Sequence, residues 1–295
     1  MRRIGVLVNP TSGRGKGGRA APEVLDLLRT NGIDPVRIEG TDGDDALIKA
    51  RDAVTSGLDG LVACGGDGTV HIALQAVMGH DIPLGVIPVG SGDDIARALG
   101  IPRKDVAAAV AVVTNGNERL VDVGEVTTDG GVHRYFLGVL SSGFDSMVNE
   151  RANRMSFPPG QAKYLAAIIA ELGVFKPATY HIELDGVAED TDGMLVAVGN
   201  GVSYGGGMKV CPGAVIDDGL FSVVLLGRIG KPTFLRVFPR VFAGTHIEHP
   251  AVTERTARTV RLEAVGQVAY ADGERIDVLP VSVNLLPSAL RAFTP

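Results

Sequence analysis

The stretch from Gly60 to Met78 restricts the fold more than any other part of this 295-residue chain. It begins with a short apolar run, Gly60-Leu61-Val62-Ala63-Cys64, of the kind a strand buried on both faces presents. It ends with Val70, Ala73, Leu74 and Val77 at helical spacing. Between them lie Gly65, Gly66, Asp67, Gly68 and Thr69, a strand-to-helix turn with three glycines in four residues. Such glycines let the backbone approach a ligand closely, and the N–H groups that open a helix favour anions. Asp67 would repel a phosphate placed against it unless a divalent cation lies between them, as phosphoryl transfer requires.

The first ~120 residues repeat the same strand–helix grammar. Strands are predicted at Ile4–Val8, Val36–Glu39, Leu61–Cys64 and Leu84–Ile87. Helices are predicted at Pro22–Thr30, Asp44–Thr55, after Thr69, at Asp93–Leu99 and at Asp105–Val113. This order implies a parallel sheet covered on both faces, whose ligands bind beyond the carboxyl ends of the strands. Three polar, glycine-containing loops fall at that edge: Asn9–Lys16, Gly65–Thr69 and Pro88–Asp94. The first, with Asn9, Ser12, Gly13, Arg14 and Lys16, offers hydroxyls, N–H groups and cations to a phosphate, and equally reads as a flexible turn. It is not a Walker A loop, because Gly17 follows Lys16. In the third, Asp93 or Asp94 reads as an N-cap, or Ser91 with Gly90 and Gly92 closes over a ribose or phosphate.

Beyond residue 120 the pattern changes to short strand-like runs, among them Tyr135–Leu140, Tyr180–Leu184, Met194–Val198, Leu220–Leu226, Thr259–Leu262, Gln267–Tyr270 and Val281–Leu285. Turn signals such as Asp185-Gly186 and Asp218-Gly219 separate them, which predicts an antiparallel sandwich or barrel, and a β-sandwich is the expected class. Two helical interruptions are expected, Ala162–Leu172 and Pro232–Phe242. The expected division is a nucleotide-binding α/β domain over 1–125, a β-sandwich substrate domain over 126–280, and a segment 281–295 returning to the first domain. A net charge of −6 and the lack of a basic, aromatic-rich module argue against a nucleic-acid partner. Cys64 and Cys211 form no CxxC pattern, and a reducing cytoplasm is the simpler reading. No leader segment and no run long enough to span a bilayer is expected, since Glu171 interrupts Tyr164–Phe175.

These pieces together resemble the diacylglycerol kinase catalytic-domain family, the bacterial lipid kinases related to sphingosine and ceramide kinases. The matching segments are NPTSG at 9–13, GGDGT at 65–69, PVGSGDDIARALGIP at 88–102 and VDVG at 121–124. They continue with SGFDSMVNERANR at 142–154, GNGVSYGGGMKVCPGAVIDDGLF at 199–221 and YADGE at 270–274, in order along the whole chain. GGDGT alone is shared with NAD kinases and phosphofructokinases, whose α/β fold the first domain should share. The later segments are not shared with them.

The resemblance implies an ATP-dependent lipid kinase of two domains, with the nucleotide on the loops of the first. It implies that Asp67, Asp94 and Asp122 hold or organise the Mg²⁺ of the nucleotide, and that Asp272 is the general base with Glu274 its acidic companion. A second, structural magnesium is implied at Asp218 with the carbonyls of Val215 and Leu220. By its residues alone, Ala271-Asp272-Gly273-Glu274 is an ordinary Asp-Gly hairpin turn. The chain departs from the family pattern at His71-Ile72, where Asn and Glu are usual, and at Asp93, a carboxylate in place of an amide. Both lie on the expected adenosine side, and for His71 a surface or capping role is expected rather than a catalytic one. The lipid acceptor is expected to be diacylglycerol, with the protein cytoplasmic, touching the inner membrane surface transiently, and a homodimer allowed. Arg151, Arg154, Met155 and Phe157, the apolar Tyr164, Leu165, Ile168, Ile169 and Leu172, and the mixed Lys231–Phe242 segment suit contact with anionic lipid. The same segments read equally as core helices with solvated cationic edges. Two rival readings are an NAD kinase-like enzyme acting on a soluble metabolite and a non-catalytic lipid- or nucleotide-binding regulator.

Overall fold

The computed structural model of the chain describes residues 1–155 and 161–295, with side chains throughout except at Ala152, Asn153, Arg154, 161–165 and Ile169. The expected features at Phe157, and at the side chains of Arg154, Tyr164, Leu165 and Ile169, lie outside the described residues. The chain divides into two units. The first comprises Met1–Val123, Ile216–Gly219 and Leu286–Pro295; the second comprises Gly124–Val215 and Leu220–Leu285.

In the first unit the order is β1 (Arg2–Val8), α1 (Ser12–Thr30), β2 (Ile33–Ile38), α2 (Gly43–Thr55), β3 (Gly60–Gly65), α3 (Asp67–Val77), β4 (Leu84–Pro88), α4 (Asp94–Ala98) and α5 (Val106–Asn115). Strands β2, β1, β3 and β4 pair in that order, all parallel. Every residue of β3 and β4 is buried, which is why both read as unbroken apolar runs. Asp42 and Asp105 accept from the N–H groups of Asp45 and Ala108 and so cap α2 and α5. Helix α1 starts ten residues before the expected Pro22, which lies inside it. Its first turn holds Gly13, Arg14 and Gly15 at positive φ, so the phosphate-type loop and the helix start share residues.

Strand β5 (Glu118–Thr128) enters the second unit, which continues with β6 (His133–Phe136), β7 (Val139–Gly143), α6 (Phe144–Arg154), α7 (Gln161–Val174), β8 (Ala178–Leu184) and β9 (Val187–Gly199). Then follow β10 (Phe221–Gly227), α8 (Lys231–Val237), two 3₁₀ turns (Phe238–Phe242 and Thr245–Glu248), β11 (Val252–Ala257), β12 (Thr259–Glu263), β13 (Val268–Ala271), β14 (Glu274–Val278) and β15 (Val281–Phe293). Strand β9 pairs antiparallel with β7, β8 and β10. Alternate residues of the central strands enter two cores. Leu140, Val196, Val198, Phe221 and Val223 face one, while Val139, Ala197, Val224 and Leu226 face the other together with α6, α7 and α8.

The second unit also departs from the expected elements. The single strand at Tyr135–Leu140 is two strands separated by Leu137-Gly138. The segment Phe144–Arg154 is a helix that the sequence reading left without an element. The expected helix Pro232–Phe242 breaks at Phe238, because Pro239 cannot continue it.

Candidate functional site

The three glycine loops of the first unit meet. A Cβ placed on Gly13 would lie 2.0 Å from the Val89 carbonyl oxygen, and one on Gly66 would lie 3.2 Å from the Gly90 Cα and 3.4 Å from the Ser12 Oγ. A Cβ on Gly90 would meet the Gly66 Cα at 2.6 Å. Only glycine fits backbones this close, and Gly13, at φ +57°, also needs the left-handed region. Two backbone bonds hold the loops in step: Val89 N–H donates to the Gly65 carbonyl (3.0 Å) and Asn9 N–H to that of Cys64 (3.2 Å). Asn9 shapes its own turn by accepting from the Thr11 N–H and hydroxyl. Thr69 is buried, with its hydroxyl against Gly65, and Ser91 is exposed.

The carboxylates of this edge have different partners. Asp67 Oδ1 accepts from Ile95 N–H at 3.0 Å, which brings it beside Asp94 at the start of α4. Asp94 is 6% exposed and pairs with Arg97. Asp93, at φ +53°, accepts from Gly90 N–H at 2.9 Å and so closes the third loop. Burial pushes its carboxyl up, against the pull of the Gly90 N–H and the cations Arg103 and Lys16. Asp122 is different. It is 1% exposed, and its two oxygens accept from Ser288 N–H and Gly219 N–H, each at 2.7 Å. It fastens the 216–219 loop and the C-terminal strand to β5. In that loop Asp218 and Val215 are exposed, and Asp217 pairs with Arg119.

Among the described residues no three His, Cys, Asp or Glu side chains come together to cage a metal. The pair Asp67 and Asp94 nevertheless suits Mg²⁺, which is usually held by one or two carboxylates together with phosphate oxygens and water. His71, expected in a surface or capping role, is buried on α3 at 6% exposure. Cys64, behind the loops, is fully buried, and burial pushes its thiol up to about 11.

In the second unit Asp272 and Gly273 form the two-residue turn between β13 and β14, with φ of +52° and +85°, the geometry that favours Asp-Gly in hairpins. The Asp272 carboxylate points back and accepts from Leu137 N–H (2.9 Å) and Gly138 N–H (2.8 Å), one on each oxygen. That grip explains why β6 and β7 separate at Leu137-Gly138. These two bonds, one to each oxygen, fix its orientation. Glu274 is exposed. On either side of the turn, the Tyr270 hydroxyl and Arg275 Nε donate to Glu150 Oε1 of α6, at 3.2 and 3.1 Å.

Behind α6 lies an apolar cavity of about 70 Å³ walled by Phe144, Met208, Val224, Phe234 and Phe238, with Asp145 and His246 in its lining. That space holds on the order of five waters or a short stretch of chain. Along α7, Leu172 and Phe175 line a second, more open space of about 490 Å³ with Met194, Arg228 and Lys231. Leu235 and Phe242 are exposed, whereas Phe234 is buried, Arg240 pairs with Glu248, and Lys231 donates to the Gly173 carbonyl. Glu171, the charge within α7, is buried against Arg151 of α6 at 2.6 Å. No helix among the described residues is long and apolar enough to cross a membrane.

Sequence reasoning missed the Leu137 and Gly138 N–H groups, which leave no trace in residue type. Asp145 and Glu150 carry no signal of their own within the segment 142–154.

Residues 3–126 match the diacylglycerol kinase catalytic domain, and residues 138–294 match the YegS C-terminal NAD kinase beta sandwich-like domain. A diacylglycerol kinase of Mycobacterium tuberculosis is 40% identical over 294 residues, covering 99% of this chain and 95% of that one. A diacylglycerol kinase of Bacillus subtilis is 30% identical, covering 95% of this chain and 92% of that one. A crystal structure of a diacylglycerol kinase from Bacillus anthracis superposes with a TM-score of 0.72 at 20% identity, covering 100% of this chain and 97% of that one, a likeness of fold.

Proposed function

The chain belongs to the diacylglycerol kinase family, and from that premise we propose that it transfers the γ-phosphoryl group of ATP to a lipid hydroxyl, diacylglycerol giving phosphatidate. The observation that carries this reading is the meeting of the three glycine loops at the carboxyl ends of β1, β3 and β4, with Asp67 and Asp94 beside them. In this reading the N–H groups of Gly66 to Thr69 and of Gly90 to Gly92 cradle the phosphates, and Asn9, Ser12 and Gly13 shape the opposite wall. Lys16 and Arg14 add positive charge. Mg²⁺ bound with the nucleotide neutralises the developing charge on the transferring group, and Asp67 and Asp94 are the side chains that would hold it, with Asp122 organising the fold behind them.

Asp272, aimed by the Leu137 and Gly138 N–H groups, accepts the proton of the lipid hydroxyl, and Glu274 keeps the local field acidic. The acyl chains enter the apolar space behind α6, where Met and Phe side chains can move to lengthen it. A second metal at Asp218 with the Val215 and Leu220 carbonyls would stiffen the loop that Asp122 already fastens. Brief contact with a membrane surface, through exposed Leu235 and Phe242 and the neighbouring cations, would supply the substrate.

The test is phosphoryl transfer from labelled ATP by the purified protein, offered diacylglycerol in mixed micelles and, separately, NAD. Label in phosphatidate, dependent on Mg²⁺, is expected. Label in phosphorylated NAD, or in neither acceptor, overturns the reading.

A further inference from the structure

The peptide that aims Asp272 is itself held from its other edge. Leu137 and Gly138 lie between β6 and β7, outside both strands. The Gly138 N–H, which donates to Asp272 Oδ1 at 2.8 Å, and the Leu137 carbonyl belong to one peptide group. In a trans peptide such as this one the two point in opposite directions. On the carbonyl side stands Asn200, the residue after β9, fully buried, with Nδ2 donating to the Leu137 oxygen at 3.0 Å. A carbonyl only accepts, so the edge of the Asn200 amide that faces it is the NH₂. The Gly138 carbonyl is held as well, by Asn200 N–H at 2.9 Å and Gly201 N–H at 2.7 Å. A side-chain amide is costly to bury unless it is bonded, and here its bond goes to the peptide that grips Asp272.

We propose that Asn200 is a positioning residue for the candidate base, acting on Asp272 through the Leu137-Gly138 peptide. The inference rests on the reading of Asp272 as the proton acceptor of a lipid kinase, and it deepens that reading. Gly138 makes the device necessary. A Cβ there would lie 2.7 Å from Asp272 Oδ1, so the position calls for glycine, and glycine leaves the adjoining peptide plane easy to rotate. Turning that plane swings the N–H off Asp272 and the carbonyl off Asn200 together. The bond from Asn200 opposes the turn. It also draws electron density towards the carbonyl oxygen, which strengthens the N–H of the same peptide as a donor to the carboxylate.

Main-chain contacts bring the parts together. Asp272 N–H donates to the Val139 carbonyl at 3.2 Å, and β13 pairs with β7, Ala271 standing opposite Leu140. On the other side a Cβ on Gly201 would lie 3.2 Å from the Gly138 Cα and 3.4 Å from the Leu137 oxygen. The start of β7, the end of β9 and the β13–β14 turn therefore meet at this peptide. Pairing of the strands fixes where they meet, and the Asn200 side chain fixes the tilt of the peptide plane. An amide that only satisfied a stray carbonyl would stabilise the fold and leave the rate of each folded molecule unchanged, and that difference separates the two roles.

The test uses the whole protein with labelled ATP and diacylglycerol in mixed micelles, each variant assayed well below its melting temperature. Asn200→Ala is expected to lower kcat by about ten- to a hundred-fold, with KM for ATP and for diacylglycerol within about two-fold of the parent. Asn200→Asp keeps the size of the side chain and lets a proton decide, because the neutral acid donates to the Leu137 oxygen and the carboxylate cannot. Its kcat should approach that of the parent at about pH 5.5 and fall away from it as rising pH ionises the acid. This second variant gives an answer even where Asn200→Ala does not fold. An unchanged kcat in Asn200→Ala overturns the proposal, and so does a kcat of Asn200→Asp that stays low at acid pH. A raised KM for diacylglycerol with kcat unchanged overturns it in favour of contact between Asn200 and the acceptor. No transfer by the unaltered protein removes the kinase reading itself, whereas transfer in the parent with Asn200→Ala unaffected removes this role alone.

Discussion

The first unit builds its candidate site from backbone, whereas the second builds its own from side chains held by backbone. At the glycine loops the decisive distances run between main-chain atoms, Gly13 against Val89 and Gly66 against Gly90. In the second unit one carboxylate, Asp272, is aimed by two N–H groups, and another, Asp145, is buried beside hydroxyls. The chemistry accounts for this difference. Phosphates are alike in every nucleotide and are matched by repeated N–H groups, but accepting one proton or recognising one lipid requires a particular side chain at a particular place.

The sharpest way to break this comparison is at Asp272. Asp272→Asn is expected to lower phosphoryl transfer by at least about 10²-fold while ATP binding stays near that of the parent. Turnover measured with diacylglycerol micelles, beside nucleotide titration, checks it, and near-normal turnover removes the role. The amide keeps one acceptor for the Leu137 and Gly138 N–H groups, so a moderate fall in melting temperature belongs to the lost bond and not to the chemistry.

Asp122→Ala tests the opposite kind of carboxylate. Losing both bonds strands the Gly219 and Ser288 N–H groups and should cost about 3–5 kcal/mol, read from denaturant or thermal unfolding. An unchanged curve would show that the 216–219 loop does not need this fastening.

Gly13→Ala asks whether the first site depends on backbone approach. The added methyl cannot stay 2.0 Å from the Val89 oxygen, so the first and third loops must separate. A loss of nucleotide affinity of about ten-fold or more is expected, with a fluorescent ATP analogue as the probe. Unaltered affinity would move the nucleotide elsewhere.

The smallest expected effect is a pH dependence. Burial raises the Asp145 carboxyl in the folded chain, so its contribution is fully present below the unfolded value of about 4 and is lost as pH rises towards the folded value. Asp145→Asn removes that ionisation, so its melting temperature should gain on the parent as pH goes from about 4.5 to 8. A constant difference across that range would mean that Asp145 is ionised in both states.

The same contrast explains what the amino-acid sequence disclosed. Glycine-rich turns after apolar runs announce a backbone-built site, because glycine is the residue such closeness demands, and all three loops were legible. Asp272 was legible only as a hairpin turn until its family resemblance was added. What holds it, the Leu137 and Gly138 N–H groups, carries no residue signature, and the reading of Tyr135–Leu140 as one strand hid the break that frees them. Helix α1 was placed too late because Pro22 resembles a helix start. Instead Gly17 and Gly18, whose Cβ positions would crowd the Asn9 and Pro10 carbonyls, let the helix begin against the loop. His71 was expected in a surface or capping role, yet α3 buries it.

The fastening at Asp122 also bears on how the protein is made. The first unit needs the N-terminal residues, the 216–219 loop and the last ten residues, in which Ala292 pairs with Leu84, Arg291 binds Asp81 and Glu118, and Phe293 is fully buried. These parts lie far apart in the chain, so a ribosome makes the last of them long after the first. Residues Met1–Val123 therefore wait with one side of β4 uncovered until the segment 286–295 is made, and a fragment that stops before it cannot finish its own sheet. The nucleotide-type loops lie early in the chain, but the unit that bears them closes only once the segment 286–295 has joined it.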